Sequence, residues 1–471
     1  MEHEVSLVEI LEAREVRVQR QQVMLARYGL PIISFTLNIA GPIKNDVGIR
    51  RAFCEGRERL DAALRGENIA IIAQESIDEP TGCEGLFVLR GNGRRIKEIC
   101  IALEDEDALG RLFDLDVLDP AHGKWDRTAL GHPARGCLVC GRAGRDCASR
   151  RLHAVPELQA KTREILRVYF AQKDARHLSA QAARALMSEV CTTPKAGLVD
   201  RVNNGSHRDM DVFTFLDSTA ALLPYFLRAS EIGQETAEQP PEETFARLQT
   251  EGLRAEHAML AATGGVNTHK GAVYSMGLLC GAAGRLWTVG GLPRDAEAIL
   301  EECARLAGAS VRRSLGCVDA ENAVTAGQRI YLHYGLRGVR GEAADGFPAV
   351  RQVALPALEE AVAAGKTLEQ AGAYALLRLI AVVSDTNLIA RGGLDGRQWA
   401  AQYASGLLAS GQGFDRAALE RFDAEMIRRN LSPGGCADLL ALGYLLYFLR
   451  HKGEPVRTEE RPCTLHTESG S

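Results

Sequence analysis

From Glu157 to Arg450 the chain carries one helical run after another, with hardly any β-branched alternation between them. Apolar residues recur at three- and four-residue spacing over 179–191, 213–230, 243–261, 268–287, 294–309, 321–334, 350–364, 367–384, 396–409, 415–429 and 435–450, the pattern of helices with a buried face. Such a segment can bury its apolar stripes only against other helices, so it is expected to be all-α. The first third reads differently. A helix over 5–28 stops at Gly29, and after Pro31 the residues Ile33, Phe35, Leu37 and Ile39 alternate with Ser34, Thr36 and Asn38 as in a strand. A second helix over 47–64 stops at Gly66, strands are expected around 69–73, 85–89 and 98–103, and a short helix precedes a last strand at 115–118. Helices and strands mixed without regular βαβ alternation predict an α+β domain. The polar segment Gln172 to His177 is read as the break between two helices and hence between two domains. The expected layout is multidomain: an N-terminal α+β domain over 1–176, an all-α helical domain over 177–451, and a polar, disordered tail over 452–471.

Composition limits the partners. Hydrophobic residues make up 46% and charged residues 25%, with a net charge of −5, which fits a soluble globular protein and neither a nucleic-acid nor a membrane-surface binder. The N-terminus begins acidic and lacks the basic-then-apolar order of a secretory signal. The longest apolar stretch, Cys436 to Leu449, includes Asp438 and is too short to span a bilayer. A cytoplasmic protein is expected, and its 12 cysteines are expected to be free thiols.

Two features in the first third carry chemistry. In Arg111-Leu112-Phe113-Asp114-Leu115-Asp116-Val117, a strand that buries Leu115 and Val117 projects Asp114 and Asp116 from its other face. Paired carboxylates of that kind can hold Mg²⁺ against a polyphosphate, although a solvated edge strand looks the same. The second feature places Cys137, Cys140, Cys147 and His153 within one short segment. Three thiols and an imidazole suit zinc. Only the first pair has a compact metal-binding spacing, so reduced structural cysteines beside an Arg/His cluster are the expected reading, with zinc the alternative.

Polar clusters interrupt the helices of the second part. The stretch from Thr192 to Asp211, TTPKAGLVDRVNNGSHRDMD, has no sustained apolar period and is either a connector or a wall of a site. Gly264 to Gly271, GGVNTHKG, puts backbone N–H groups and Lys270 at a helix N-terminus, a natural anion site, or simply a helix capped by Asn267 or Thr268. Arg337 and Arg340 stand three apart among glycines, where both guanidinium groups can approach one phosphate chain. Ser384-Asp385-Thr386-Asn387 with Arg391-Gly392-Gly393, and Arg429 to Gly435 with Asp438, complete what reads as one site built at helix ends.

Two resemblances follow from these segments. SFTLNIAGPIKND (34–46), TGCEG (81–85), GRLFDLDV (110–117) and RGCLVCGRAGRDCASRRLH (135–153) resemble the apo-citrate lyase phosphoribosyl-dephospho-CoA transferases. Asp107-Ala108 stands where that family commonly has His-Pro. The resemblance implies transfer of a phosphoribosyl-dephospho-CoA arm to a serine of the citrate lyase acyl carrier protein, with release of pyrophosphate. It implies Asp114 and Asp116 as metal ligands, Lys44, Arg50, Arg111 and Arg135 as phosphate clamps, and Glu84 or Glu104 as acceptor of the serine proton.

TPKAGLVDRVNNGSHRDMD, GGVNTHKG, TAGQRIY (325–331), YGLRGVRGEA, SDTNLIARGG and RRNLSPGGCADLL (428–440) resemble the triphosphoribosyl-dephospho-CoA synthases, with malonate decarboxylase relatives. Ala196 replaces the proline usual in the first of these loops. The implied reaction joins ATP to 3′-dephospho-CoA with loss of adenine, through an oxocarbenium-like state. By this analogy Asp209 is the preferred base or Mg²⁺ ligand, with Glu256, Glu342 and Asp385 as competitors. Lys195, Lys270, Arg337, Arg340 and Arg391 are expected on the phosphates, and Asn203, His207, Asn267, His269 and Asn387 on ribose, base or metal-bound water. The whole chain reads as a natural fusion of two consecutive enzymes, with tethering as the advantage. The competing readings are a carrier-protein-binding assembly factor with one active half, or the equivalent enzyme for malonate decarboxylase. Both motif sets keep their charged positions apart from Asp107-Ala108, which favours the bifunctional reading.

Overall fold

The computed structural model describes residues 3–142, 144–316 and 326–451. The expected tail at 452–471 and the first residues of the expected helix at 321–334 lie outside that range. The chain forms a small antiparallel sheet near its N-terminus and helices elsewhere, and divides into two compact units, one ending at Phe170 and one beginning at Ala171.

The first unit comprises α1 (Leu7–Tyr28), β1 (Ile32–Leu37), α2 (Val47–Gly66), β2 (Ala70–Glu79), β3 (Gly82–Arg90), α3 (Gly93–Asp105), β4 (Phe113–Asp119), β5 (Gly123–Lys124), α4 (Gly144–Ser149) and the start of α5 (Val155–Cys191). Helix α1 begins at a reciprocal Ser6/Glu9 capping box and ends at Gly29, whose φ of 61° closes the turn. The strands run in the order β2-β3-β1-β4-β5, each pair antiparallel. Central β1 is buried on both faces. Phe35 stacks on Phe53 of α2 at 4.8 Å and meets Phe113 edge-on at 5.5 Å. On the opposite face Ser34 accepts a hydrogen bond from Gln21 of α1 at 2.9 Å. The register pairs Ser34 with Asp116 and Thr36 with Asp114, so the two aspartates share the Ser34 face, as the alternation requires.

Two expectations for this unit need correction. The expected strand at 98–103 is part of α3. Asn92 caps it, and Ile96, Ile99, Cys100 and Leu103 recur at helical spacing and are buried; the local alternation of Ile99 and Ile101 imitated a strand. The expected break at 172–177 is absent, because α5 runs unbroken through it. Gln172, Lys173, Arg176 and His177 are exposed on it, whereas Asp174 is buried and accepts from Trp287 Nε1 at 2.7 Å.

The second unit continues from α5 through α6 (Val212–Glu235), α7 (Pro241–Ala262), α8 (Lys270–Arg285), α9 (Ala296–Gly316), α10 (Ala326–Tyr334), α11 (Gly338–Ala344), a π turn at Val350–Ala354, α12 (Leu355–Ala363), α13 (Leu368–Val382), α14 (Thr386–Ala409), α15 (Arg416–Arg428) and α16 (Gly434–Arg450). No strand occurs among its described residues, and no single described helix is long and apolar enough to cross a membrane. Two stretches expected as loops are helical. Gly338 to Ala344 forms α11, and α14 starts at Thr386, ten residues before the expected 396, because Asp385 caps it. Gly393, at φ 66° and ψ −171°, breaks α14 where the sequence suggested a loop.

A glycine stripe in α8 permits its close packing against α6. Gly277, Gly281 and Gly284 lie at i, i+4 and i+7, on one face. A Cβ at Gly277 would stand 1.9 Å from the Tyr225 Oη, and one at Gly284 would stand 2.2 Å from the Ser230 carbonyl oxygen of α6. The two helices can approach this closely only without side chains there. Gly284→Ala gains helix propensity of about 1 kcal/mol but must push two backbones apart, an overpacking cost of about 1–3 kcal/mol or more. Urea denaturation is expected to show net destabilisation; a variant at least as stable as wild type would contradict this packing.

Candidate active sites

Each unit holds a large cleft among its described residues. That of the second unit, of about 980 Å³, is bordered by the first residues of three helices: Lys270 of α8, Thr386 of α14 and Gly434 of α16. Helix N-termini present unpaired N–H groups and partial positive charge, so their convergence favours an anion. Lys270, Arg337 and Arg391 add cations to the wall. Lys270 pairs with Glu256 of α7 at 2.9 Å, and Arg337 with Asp345.

The Thr192–Asp211 loop supplies another wall. It is fastened by Asp423 of α15, whose carboxylate accepts from Gly197 N at 2.8 Å and Asn203 Nδ2 at 2.9 Å. Ser206 Oγ donates to the Leu431 carbonyl at 2.7 Å. This holds Lys195 and His207 on the cleft. Lys195 is 2% exposed and pairs at 2.6 Å with Glu189 of α5, a carboxylate that the sequence reading missed. His207 Nε2 meets Ser432 Oγ at 3.0 Å, its Nδ1 lies 3.3 Å from Arg391 Nη2, and burial with the Arg391 charge lowers its pKa.

Asp209 does not join them. Its side chain is 64% exposed and lies outside the cleft lining, as do Asn203, Glu256 and Arg340. The remaining expected residues, Asn267, His269, Lys270, Arg337, Glu342, Asp385, Asn387 and Arg391, line the cleft together. Asp385 is 2% exposed, and its carboxylate accepts from the backbone N–H of Asn387, Leu388 and Cys436. Glu342 accepts from Ala349 N at 3.1 Å, and burial raises its pKa.

Asp438, named in the sequence motif but given no role there, lies one turn into α16. It packs against Gly271, where a Cβ would stand 2.0 Å from its Oδ2, and it makes no hydrogen bond among the described residues. Burial, followed by the charges of Glu189 and Asp385, pushes its pKa well above the ordinary carboxylate value. Asp438 is half-buried, whereas His269 is buried. Its Nδ1 meets Ser218 Oγ at 2.6 Å, its Nε2 has no partner among the described residues, and burial lowers its pKa to about 3. The signal for Glu189 was faint: one acid in the otherwise apolar end of a helix, LMSEVC.

The cleft of the first unit, of about 780 Å³, brings together Asp114, Asp116, Glu104, Arg111 and Arg135 from the expected set. Lys97, Lys124 and Arg127 join them without having been foreseen. Asp116 pairs with Lys124 at 2.6 Å, while burial and then the Asp116 charge raise the pKa of Asp114. Glu104 Oε1 accepts from Leu115 N at 2.9 Å and Lys97 Nζ donates to the Leu115 carbonyl at 2.7 Å, so two residues of α3 satisfy one residue of β4. Arg135 donates to the Phe113 and Arg111 carbonyls and Arg111 to that of Gly136. Buried Arg111 Nε and Arg127 Nε have no hydrogen-bond partner among the described residues. Glu84, Lys44 and Arg50 lie elsewhere: Glu84 pairs with Arg17 of α1, Lys44 Nζ donates to the Ile39 carbonyl, and Arg50 pairs with Asp78.

Comparison with known proteins assigns a family to each part of the chain. Residues 175–456 match the family model of the ATP:dephospho-CoA triphosphoribosyl transferases (CitG), and residues 5–169 that of the apo-citrate lyase phosphoribosyl-dephospho-CoA transferases (CitX). Protein CitXG of Haemophilus influenzae is 36% identical over 460 residues, 95% of this chain and 97% of its own length. Protein CitXG of Leuconostoc mesenteroides subsp. cremoris is 34% identical over 94% of this chain and 96% of its own length. The 2-(5''-triphosphoribosyl)-3'-dephosphocoenzyme-A synthase of Pectobacterium atrosepticum is 45% identical over 61% of this chain and 94% of its own length. With both families matched in order and fused relatives aligned over nearly the full length, the chain belongs to the CitXG family of bifunctional transferases for the citrate lyase prosthetic group.

Proposed function

We propose that an all-α domain over 177–451 joins ATP to 3′-dephospho-CoA with release of adenine, and that an α+β domain over 1–176 transfers the phosphoribosyl-dephospho-CoA moiety to a serine of the citrate lyase acyl carrier protein with release of pyrophosphate. The observation that carries the first assignment is the convergence of three helix N-termini with Lys195, Lys270, Arg337 and Arg391 on a cleft also lined by Glu189, Asp385 and Asp438. Positive helix ends and cations suit a triphosphate, and carboxylates suit proton transfer at a glycosyl centre.

Within this reading Asp438 is the base that takes the proton from the attacking ribose 2′-hydroxyl. It is unencumbered by hydrogen bonds, and a raised pKa makes it a stronger acceptor than an ordinary carboxylate. Glu342, which lines the same cleft and accepts from Ala349 N, is the residue that would pass a proton to the departing adenine. Neutral His269 offers Nε2 to ribose or base. Lys270, Arg337 and Arg391 bind the phosphates. Asp385 is a positioning residue, since its carboxylate is committed to backbone donors. Mg²⁺ bound with the triphosphate would neutralise part of its charge beside Lys270, Arg337 and Arg391.

In the other domain Asp114 and Asp116 are the residues that would hold such a cation. The unpartnered Arg111 and Arg127 donors take the phosphate oxygens on which charge builds as pyrophosphate leaves. Glu104 is a positioning residue that acts through Arg127 and Arg135, at 3.6 and 3.8 Å.

Incubation of the full chain with ATP, 3′-dephospho-CoA, Mg²⁺ and apo citrate lyase carrier protein, with adenine and carrier mass followed together, separates the halves. Asp438→Asn is expected to slow adenine release by about 100-fold or more, and supplied triphosphoribosyl-dephospho-CoA should then restore carrier modification. Asp114→Asn and Asp116→Asn should abolish the mass gain while adenine release stays within about twofold. Full adenine release by Asp438→Asn, combined with loss in Asp209→Asn, would overturn the assignment of the base.

His269 gives an independent check through stability. Its pKa falls on folding from 6.5 to about 3, so between those values the unfolded chain binds the additional proton and stability is lost as pH falls through that window. The loss attributable to this residue approaches about 1.4 kcal/mol per pH unit within that range. Urea titrations between pH 7 and 5 should therefore show a shallower decline for His269→Gln than for wild type. Parallel declines would mean that this imidazole is not buried neutral.

A further inference from the structure

We propose that Cys137, Cys140, Cys147 and His153 bind zinc in a closed four-ligand site beside the first unit's cleft. The sequence spacing left this open because the last two residues form no compact pair; the fold supplies the missing proximity. Helix α4 returns Cys147 to the turn that carries Cys137 and Cys140, and His153 stands just ahead of α5. One ligand atom from each of the four residues lies within 4.8 Å of all the others. Tetrahedral zinc with its usual zinc–sulfur length sets sulfurs about 3.8 Å apart, and the Cys140 and Cys147 sulfurs lie 3.4 Å apart, well beyond a disulfide.

The surroundings also fit a metal. Gly141, at φ 73°, returns its N–H to the Cys137 carbonyl at 3.0 Å, closing a turn across the Cys137–Cys140 pair. Val139 N–H donates to Cys137 Sγ at 3.4 Å, a contact that stabilises a thiolate. The Glu157 carboxylate lies 3.2 Å from His153 Nδ1, which places the imidazole proton on that nitrogen. The lone pair of Nε2, buried and without a partner among the described residues, is then left for a metal. This carboxylate–histidine arrangement is the usual outer support of a zinc ligand. Soft sulfur donors with one imidazole select zinc over magnesium or calcium.

With all four positions filled by protein, the ion has no open position at which to activate water, so its role is structural. It ties the segment that bears Arg135 and Gly136 to the head of α5. Arg111 donates to the Gly136 carbonyl and Arg135 to the Arg111 carbonyl, so the same tie fixes both guanidinium groups at the cleft. This consequence for transfer rests on the proposed role of the first domain; the presence of zinc does not.

The test is metal analysis of the full chain, expressed with zinc and purified without chelator. About one zinc per chain is expected, with an X-ray absorption spectrum fitted by three sulfurs near 2.3 Å and one nitrogen near 2.0 Å. Cys140→Ser and Cys147→Ser should each weaken zinc affinity by about tenfold or more, measured by competition with a chromogenic chelator. His153→Cys should retain zinc through a fourth thiolate, and so should Cys54→Ser, which alters an exposed cysteine outside the cluster. Limited proteolysis of each variant reports that the first unit is folded, and adenine release that the second is. A wild-type chain free of zinc with reactive thiols at all three positions, or one with a Cys140–Cys147 bond in peptide mass spectra, would overturn the site. Zinc present in a chain that fails to modify carrier would instead count against the transferase assignment.

Discussion

The second cleft depends on one buried carboxylate that does no proposed chemistry. Asp385 spends both oxygens on backbone N–H groups at the heads of α14 and α16. Those heads come from chain segments about fifty residues apart, and each needs its leading N–H groups satisfied once buried. A single anion does both, because the partial charges at two helix N-termini favour it. Gly435 is required beside it, since a Cβ there would crowd the carboxylate at about 3.1 Å. The geometry of Asn387, Arg391, Gly434 and Asp438 follows from that junction.

The first unit uses the same device on a sheet. β5 pairs only with the end of β4, at Leu118 and Asp119. Leu115 therefore turns its backbone N–H and C=O to Glu104 and Lys97, both buried on α3. Charged side chains are costly to bury unless hydrogen-bonded, and here they are bonded to an otherwise unpaired backbone. Asp114 and Asp116 flank that anchored residue, so the carboxylate pair sits on a strand whose position is fixed from the side.

Much of this was legible in the sequence, and the failures have physical causes. Periodicity located most helices of the second unit because packing against other helices enforces it. It failed over 98–103, where a few isoleucines alternate inside a helical pattern, and at Gly338 to Ala344, where glycines hide a two-turn helix. Motif content found the residues at helix starts, Asn267, Lys270, Asp385 and Asn387, because polar and glycine-rich starts are chemically distinct. It misjudged direction within the Thr192–Asp211 loop: Lys195 and His207 turn inward and Asp209 outward, a choice set by Asp423 more than two hundred residues away. Likewise no local signal told that Glu84 faces α1 while Asp114 and Asp116 face the cleft, since that depends on strand order.

The two clefts differ in the way their proposed reactions demand. Loss of adenine from a ribose builds positive charge on the sugar, and a wall with Glu189 and Asp438 opposes that charge while Lys270, Arg337 and Arg391 hold the phosphates. A cationic histidine there would work against it, and burial keeps His269 neutral. Release of pyrophosphate instead builds negative charge on phosphate oxygens, and the first cleft answers with Lys97, Arg111, Lys124, Arg127 and Arg135 beside Glu104, Asp114, Asp116 and Asp126. The unpartnered guanidinium nitrogens matter most in that setting. A donor already bonded to protein gains little from a new anion, whereas a buried donor without a partner gains the full hydrogen bond when a phosphate oxygen arrives.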